Sequence, residues 1–531
     1  MSLATPGVSR RSVLLGAAAA ACTPALPAGG NSLTVGLTYD IDTLNVYSTG
    51  FLGDVEAAVV EGLLAPDANA RYVPVLATNV PTLANGGITL TPDGGMTVRY
   101  ALRPGVRWHD GAPFTAADVK FTWEAVANPA FIAESKDGTD EISGIETPDP
   151  LTVICHYKKV APAFATTLFT FGILPKHLLE GVDLNNAPYN DRPIGTGPFM
   201  VTDFKRGQYV LTRRNPHYWR TDAAGQRLPY LDALIFKIVP DSNSLLMQIR
   251  ARELDLVVAT PYDQAKQMDQ VAGIKLIRSP LLQWQHLDFN FRNRALQDRQ
   301  VRLAIARAVD RDAIVRALGG FPRPIRSVVV PVFDFYDPDT PVAQHDPALA
   351  RHILDAAGWK TGPDGVRAKG SERLAFRFLV QAGKGDDELA QQVLIAQLKA
   401  IGIDAEADNR TGVAYRQARY KGEYDLNYSA WVTGADPIYS RFFGSKGSNN
   451  GQRYSNPEMD KVLARMEGTL DPAARRAAAF EMQRILAHDL PTIPLTTNVA
   501  VVTRRDDLQG FTPNPTNMTP FVGSAFWRLR A

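Results

Sequence analysis

The run from Ala375 to Ala407, AFRFLVQAGKGDDELAQQVLIAQLKAIGIDAEA, decides the fold. Its opening, AFRFLVQA, reads as a strand. Leu394, Leu398 and Ile401 then recur at helical spacing until Gly402 ends the helix. IDAEA, residues 403–407, begins a second strand. A strand, a crossover helix and a strand form a βαβ unit, the building block of an α/β lobe. Upstream, Val301, Ile305 and Val309 mark a further amphipathic helix of the same lobe.

Working outward, the chain has 531 residues, too many for one hydrophobic core, so two or more lobes are expected. The first part is also α/β. SLTVGLTYD (32–40) alternates Leu33, Val35, Leu37 and Tyr39 and ends at Asp40. MTVRYALRPG (96–105) alternates Met96, Val98, Tyr100 and Leu102. A turn at Asp110-Gly111 precedes a helix with Thr115 as N-cap, Asp118 three residues on, and Val119, Trp123 and Val126 on one face. Strands follow in LTVICHY, the glycine-broken PIGTGPFMVTDF, QYVLTRR, LDALIFKIV and QWQHLDFNF. Between the last two, a helix after Asp241-Ser242 carries Leu245 and Ile249. Strand character returns in IPLTTNVAVVTRRDDLQGF, and the final FVGSAFWRLR is expected to pack on the first lobe. There is neither a fixed-period repeat nor a Gly/Ser-rich linker between the halves. Crossing strands therefore join the lobes, an arrangement suited to hinge bending.

The N-terminus carries Arg10 and Arg11, an apolar run from Val13 to Ala21, and Cys22. That run is about half the length that spans a bilayer, so residues 1–22 read as an export signal. Ser9-Arg10-Arg11-Ser12-Val13-Leu14-Leu15 matches the twin-arginine pattern of proteins exported folded. Cys22, before a Pro/Gly-rich tether, resembles a lipoprotein acceptor, although Ala19 stands where a large aliphatic is usual. The alternative is an Ala-rich signal cleaved nearby to release a soluble protein. Formal net charge is +2, and loss of the two arginines takes it to zero, so neither nucleic acid nor an acidic polymer is an expected partner. The other cysteine, Cys155, lies among apolar neighbours in LTVICHYKK, which excludes a disulfide framework and thiol chemistry.

The stretch YALRPGVRWHDGAPFTAADVKFTWEAV (100–126) resembles the signature of the family 5 extracellular solute-binding proteins. These are the receptors of bacterial ABC importers for oligopeptides, dipeptides, nickel chelates and some oligosaccharides. Further similarities follow in order: EGLLAPD, YVPVLATN, PIGTGPFMVTDF, RRNPHYW, DFNFRNRALQDRQVRLAIARAVDR, RHILDAAGW, AQLKAIGIDAE and YSNPEMDKVLARM. They span residues 33–511. The resemblance implies an α/β, two-lobed periplasmic-binding-protein fold with an extra subdomain inserted in the first lobe. Lobe I is expected at 23–53, 193–290 and 498–531, the insert at 54–192 and lobe II at 291–497. It also implies a monomer that closes on a small-molecule or peptide ligand and presents it to an ABC permease, with no cofactor and with membrane contact only through an N-terminal lipid.

YDLNYSAWVTGADP (424–437) sets Trp431 on the same strand face as Asp425, Asn427, Ser429 and Thr433. Trp284 shares a face with His286, Asp288 and Asn290. In peptide-binding members, the resemblance implies, this tryptophan lies by the ligand and an aspartate three residues later pairs with the peptide ammonium. Here that position is Gly434, and the nearest carboxylate is Asp436. Either Asp436 turns in, or the ligand lacks a free amine there; an ammonium taken from water needs a counter-charge. An indole beside Ser429 and Thr433 also suits a sugar ring. Trp431, Thr433 and Asp436 are thus candidate ligand residues. Trp284 and His286 join them, at what reads as the matched point of the other lobe. Tyr39 and Asp40 qualify as the end of a strand, Arg410 as a two-pronged carboxylate partner, and Tyr415 as its neighbour. The plain alternatives are packing between lobes for Trp431, a hydrogen-bonded hinge position for His286, and a solvated loop position for Arg410 and Tyr415.

Catalysis lacks a carrier: neither G-x-S-x-G nor H-E-x-x-H occurs, the eight histidines are scattered, and GTGPF (195–199) lacks the Lys-Ser/Thr of a phosphate cradle. Direct metal capture would need clustered ligands, and His345 and His352 lie in a stretch that reads as surface. A nickel-chelate or other non-peptide receptor and, less favoured, an enzyme or a sensor or chaperone on the same fold remain the competing functions.

Overall fold

The computed structural model describes residues 31–49, 53–134, 136, 138–165, 168–514 and 520–530. The export signal and Cys22 lie outside the described residues. No helix among the described residues is long and apolar enough to cross a membrane.

One mixed sheet of eleven strands runs through the molecule. Its middle is an antiparallel pair of long strands, Ile274–Phe289 and Thr492–Arg505. On one flank lie Leu256–Val257, Ser32–Leu37, Ala233–Ile238, Tyr209–Arg214 and Phe199–Lys205; on the other lie Leu426–Val432, Ala375–Gln381 and Asp404–Arg410, and the short Arg323–Pro324 strand pairs with Thr492–Arg505 off this order. The parallel pairing of Ala375–Gln381 with Asp404–Arg410, across the helix Gly385–Lys399, is the βαβ unit read from the sequence. Gly402, at φ +82°, turns the chain out of that helix.

The two long strands belong to both lobes. Val502 enters a core with Leu33, Val35, Phe199 and Phe236, which Phe521 and Trp527 complete from the C-terminus. Leu287, Phe289, Ile493 and Leu495 enter a second core with Phe378, Leu394 and Leu398. Between the two cores the register breaks. Pro280 pairs with Val499 and Trp284 with Thr497, leaving Leu281, Leu282 and Gln283 opposite Asn498 alone. A bulge of this kind bends and twists a strand, and here it falls where the strand passes from one core to the other. The sequence showed strand only over QWQHLDFNF; the strand begins nine residues earlier at Ile274 and passes through Pro280.

A separate four-stranded antiparallel sheet, ordered Ile88–Leu90, Met96–Ala101, Thr152–Tyr157 and Ile142–Asp149, carries the helix Ala116–Ala127 and its own apolar core. Thr115 and Asp118 form the expected capping box. Cys155 is buried in this sheet, and burial pushes its thiol up.

The motifs of residues 61–219 join this sheet to the first lobe. Half-buried Glu61 accepts from Tyr218 Oη at 2.8 Å, Trp219 Nε1 at 2.9 Å and Thr196 Oγ1 at 3.0 Å. The buried His109 ring meets Gly195 N at 3.1 Å and Gly197 O at 3.0 Å. Gly195 is required by contact: a Cβ there would stand 1.9 Å from Val59 O. These signature residues hold the chain together rather than face a ligand.

Candidate ligand-binding site

The C-terminal ends of parallel strands are where open α/β sheets place ligands. In the second lobe, the chain beyond Gln381 leaves the sheet and enters the helix at Gly385. Its partner strand continues. Leu426 and Asn427 pair with Phe378 and Leu379, whereas Tyr428–Val432 pair on one side only, with the Gln283–Leu287 stretch. A cavity of about 480 Å³ opens against this half-paired strand. Gln283, Gln285, Gln381, Tyr428 and Ala430 line it, with the Lys384–Asp387 helix start on one wall and Tyr415 and Arg419 on another.

The wall is mostly polar. Asn498 Nδ2, opposite the bulge, donates to Gln283 Oε1 at 3.2 Å. Tyr262 donates to Val499 O at 2.9 Å and stacks on Phe321 at 4.9 Å. Gln285 is 4% exposed; its Nε2 lies 3.5 Å from Asp387 Oδ1, and its Oε1 has no partner. Asp387 keeps solvent on its cavity side while protein crowds the rest. That loss of hydration pushes its carboxyl up to about 6. Asp386 is also raised, first by desolvation and then by Asp263.

The two tryptophans have separate roles. Trp284 and Trp431 do not occupy matched points of two lobes; they are cross-strand neighbours in one sheet. Trp284 is fully buried in a fourth core with Leu282, Phe443 and Met459, formed by helices Pro457–Glu467 and Pro472–Asp489 that cover the polar-looking face. Trp431 is half-buried. Its ring lies 4.5 Å from that of Phe442, and the Arg419 guanidinium sits 3.6 Å above it. Trp431 therefore fixes the arginine that lines the cavity. His286 is buried between the indoles. Its Nδ1 donates to Asp288 Oδ1 at 2.9 Å, which leaves Nε2 to accept from Ser429 Oγ at 3.3 Å. Desolvation lowers its pKa, so the ring is neutral at physiological pH.

The other sequence candidates are dispersed. Thr433 donates both N and Oγ1 to Leu282 O, at 2.8 and 3.0 Å, and so ties the half-paired strand to the bulge. Tyr415 lines the cavity and reaches Asn427 Oδ1 at 3.4 Å. Asp436 does not turn in toward Trp431. Arg475 holds it in a two-pronged pair at 2.5 and 3.1 Å. It lines a second, wider cleft of about 700 Å³, whose far wall is Asn69–Tyr72 and Val80. Arg410 is bound to Asp408 at 2.9 and 2.8 Å, and neither cavity includes it. Tyr39 donates to Asp54, and Asp40 accepts from Ile41 N and Gly207 N; both lie outside the two cavities. His345 meets Ala308 O, and no group of three metal-ligating side chains occurs among the described residues.

Residues 71–452 match the family described as bacterial extracellular solute-binding proteins, family 5 Middle. The chain belongs to this family. Over 506 residues it is 27% identical to the glutathione-binding protein GsiB of Salmonella paratyphi A, covering 93% of this chain and 94% of that one. The oligopeptide-binding protein AppA of Bacillus subtilis, solved with a nonapeptide, superposes with a TM-score of 0.79 at 25% identity, over 94% and 99% of the two chains. NikZ of Campylobacter jejuni, solved with Ni(L-His), shares the fold, with a TM-score of 0.79 at 24% identity over 94% and 99%. This receptor is therefore an extracytoplasmic solute-binding protein that delivers its ligand to an ABC importer, and its family and fold are those of binding proteins rather than catalytic domains.

Sequence reasoning missed Gln285, Lys384, Asp386, Asp387 and Arg419. The signal for three of them was present in AGKGDDE, the loop that follows a parallel strand. The strand-end rule, applied above to Tyr39 and Asp40, points equally to this loop. Arg419 carried no such signal, because only the fold brings its helix, Gly412–Lys421, over Trp431.

Proposed function

We propose that this receptor binds a peptide-like ligand, held extended along the half-paired strand Tyr428–Val432 and enclosed when the lobes close at the bulge. The observation that carries this reading is the strand edge itself. Backbone groups paired on one side only, at the wall of a cavity, suit an added strand, and main-chain hydrogen bonds then give affinity that depends little on sequence. A sugar offers no alternating row of amides and carbonyls to such an edge. That GsiB is named for glutathione and AppA was solved with a nonapeptide supports the same class.

The proposal includes the division into lobe I, insert and lobe II given above, export of a monomer through the twin-arginine signal, and lipid attachment at Cys22. Trp431 and Tyr415 serve the ligand through the cavity wall, Trp431 by holding Arg419. A thermal-shift screen of the mature chain against tri- to pentapeptides, oligosaccharides and nickel chelates tests the ligand class. Ligand at one hundred times its dissociation constant adds about 2.7 kcal/mol. Shifts with peptides, accompanied by slower amide exchange at residues 428–432, are expected; shifts with sugars or chelates alone overturn the reading.

A further inference from the structure

Resting on that reading, we infer that the 480 Å³ cavity receives a cationic group of the ligand, an ammonium or guanidinium, between Asp386, Asp387 and Gln285. Three observations converge. Asp386 and Asp387 both line the cavity, and among the described residues no cation forms an ion pair with either. Asp263 adds a third negative charge beside Asp386. Independently, the Gln285 side chain is nine-tenths buried at the same wall with its Oε1 lacking any hydrogen-bond partner. A buried acceptor left without a donor costs free energy, as does the half-buried Asp387 carboxylate, which has exposed Asp386 beside it and no ion-pair partner. One donor-rich cation relieves both.

Lys384, at the same helix start, attenuates the negative field but is exposed and makes no ion pair here. Arg419 is committed to the Trp431 face. The site therefore has acceptors on one wall and a guanidinium on another, a polarity that orients an extended ligand with its cation toward the Asp386–Asp387 wall. The position also accounts for Gly434 and the closed Asp436–Arg475 pair: the counter-charge for a ligand cation stands at a different strand end.

Isothermal titration with four tripeptides separates the two sources of the cation: Ala-Lys-Ala, acetyl-Ala-Lys-Ala, Ala-norleucine-Ala and acetyl-Ala-norleucine-Ala. At least one cation-bearing peptide is expected to bind tenfold or more tightly than the cation-free one. Preference for the free terminus or for the lysine identifies which cation is met. Asp386→Asn/Asp387→Asn is expected to reduce that preference to within about twofold. Agmatine, which has no peptide backbone, is the independent probe, read by thermal shift on the wild type and the double variant. If agmatine stabilises only the wild type while no tripeptide binds, the inference stands and the peptide reading fails alone. Peptide binding without cation preference, preference that survives the double variant, or no stabilisation by any cationic probe each overturns the inference.

Discussion

Trp431→Ala tests how the cavity wall is built. The indole contributes two contacts that alanine removes: the Arg419 guanidinium at 3.6 Å and the Phe442 ring at 4.5 Å. The first is worth about 0.5–2 kcal/mol and the second about 0.5–1.5 kcal/mol beyond area. With lost burial, folding stability is expected to fall by roughly 2–4 kcal/mol. The effect on binding comes through Arg419, which loses the platform that holds it at the cavity. A hydrogen bond from a charged donor contributes about 1.5–3 kcal/mol, so affinity for the best peptide should drop about 10- to 150-fold. Titration calorimetry on Trp431→Ala, Trp431→Phe and Arg419→Met gives the comparison. Phenylalanine keeps an aromatic face and should retain most of the affinity. Trp431→Ala/Arg419→Met should cost less than the two single changes added, because both remove one interaction. Unchanged affinity in Trp431→Ala, with only the unfolding temperature lowered, would refute the reasoning and leave the indole as packing.

Gly195→Ala forces a Cβ to within 1.9 Å of Val59 O; because backbone rather than a mobile side chain stands in the way, loss of soluble protein is expected on expression. Glu56 is 3% exposed, and burial pushes its carboxyl up to about 8. The folded state thus holds its proton more tightly than the unfolded one. Stability should decline as pH rises from about 4.5 through 8, by roughly 5 kcal/mol; in Glu56→Gln the melting temperature should lose that part of its dependence, and an unaltered pH profile would contradict it. Asp387, raised to about 6, has the same sign in a lower window: ligand-free stability should fall between about pH 4 and 6, and Asp387→Asn should melt about 1–2 °C higher than wild type at pH 7.5.

The architecture was legible because it is written in periodicity. Alternating apolar residues gave the strands, the 3.6-residue repeats of Leu394 and Leu398 gave the crossover helix, and the Thr115–Asp118 box appeared where its spacing placed it. The length of the first crossing strand was not legible, since IKLIRSPLL contains a proline and shows no steady alternation. The binding wall was legible only in part. Trp431 and Tyr415 line or support the cavity, but a strand pattern shows which face a side chain takes and not what covers that face. Helices 457–467 and 472–489 cover Trp284, and Arg475 neutralises Asp436 from 39 residues away. Such contacts depend on tertiary position, which no local spacing encodes.

The shared sheet has a thermodynamic consequence. Val502 sits in one core and Leu495 in the other, on a single unbroken strand. Melting either lobe strips a long antiparallel partner from the other, so neither can open fully alone. The chain should unfold over the sheet as one calorimetric unit despite its size. Stabilisation gained from a ligand on lobe II then protects lobe I as well. An importer receptor built this way should resist proteolysis across the whole shared sheet whenever it is loaded, and be most vulnerable there when empty.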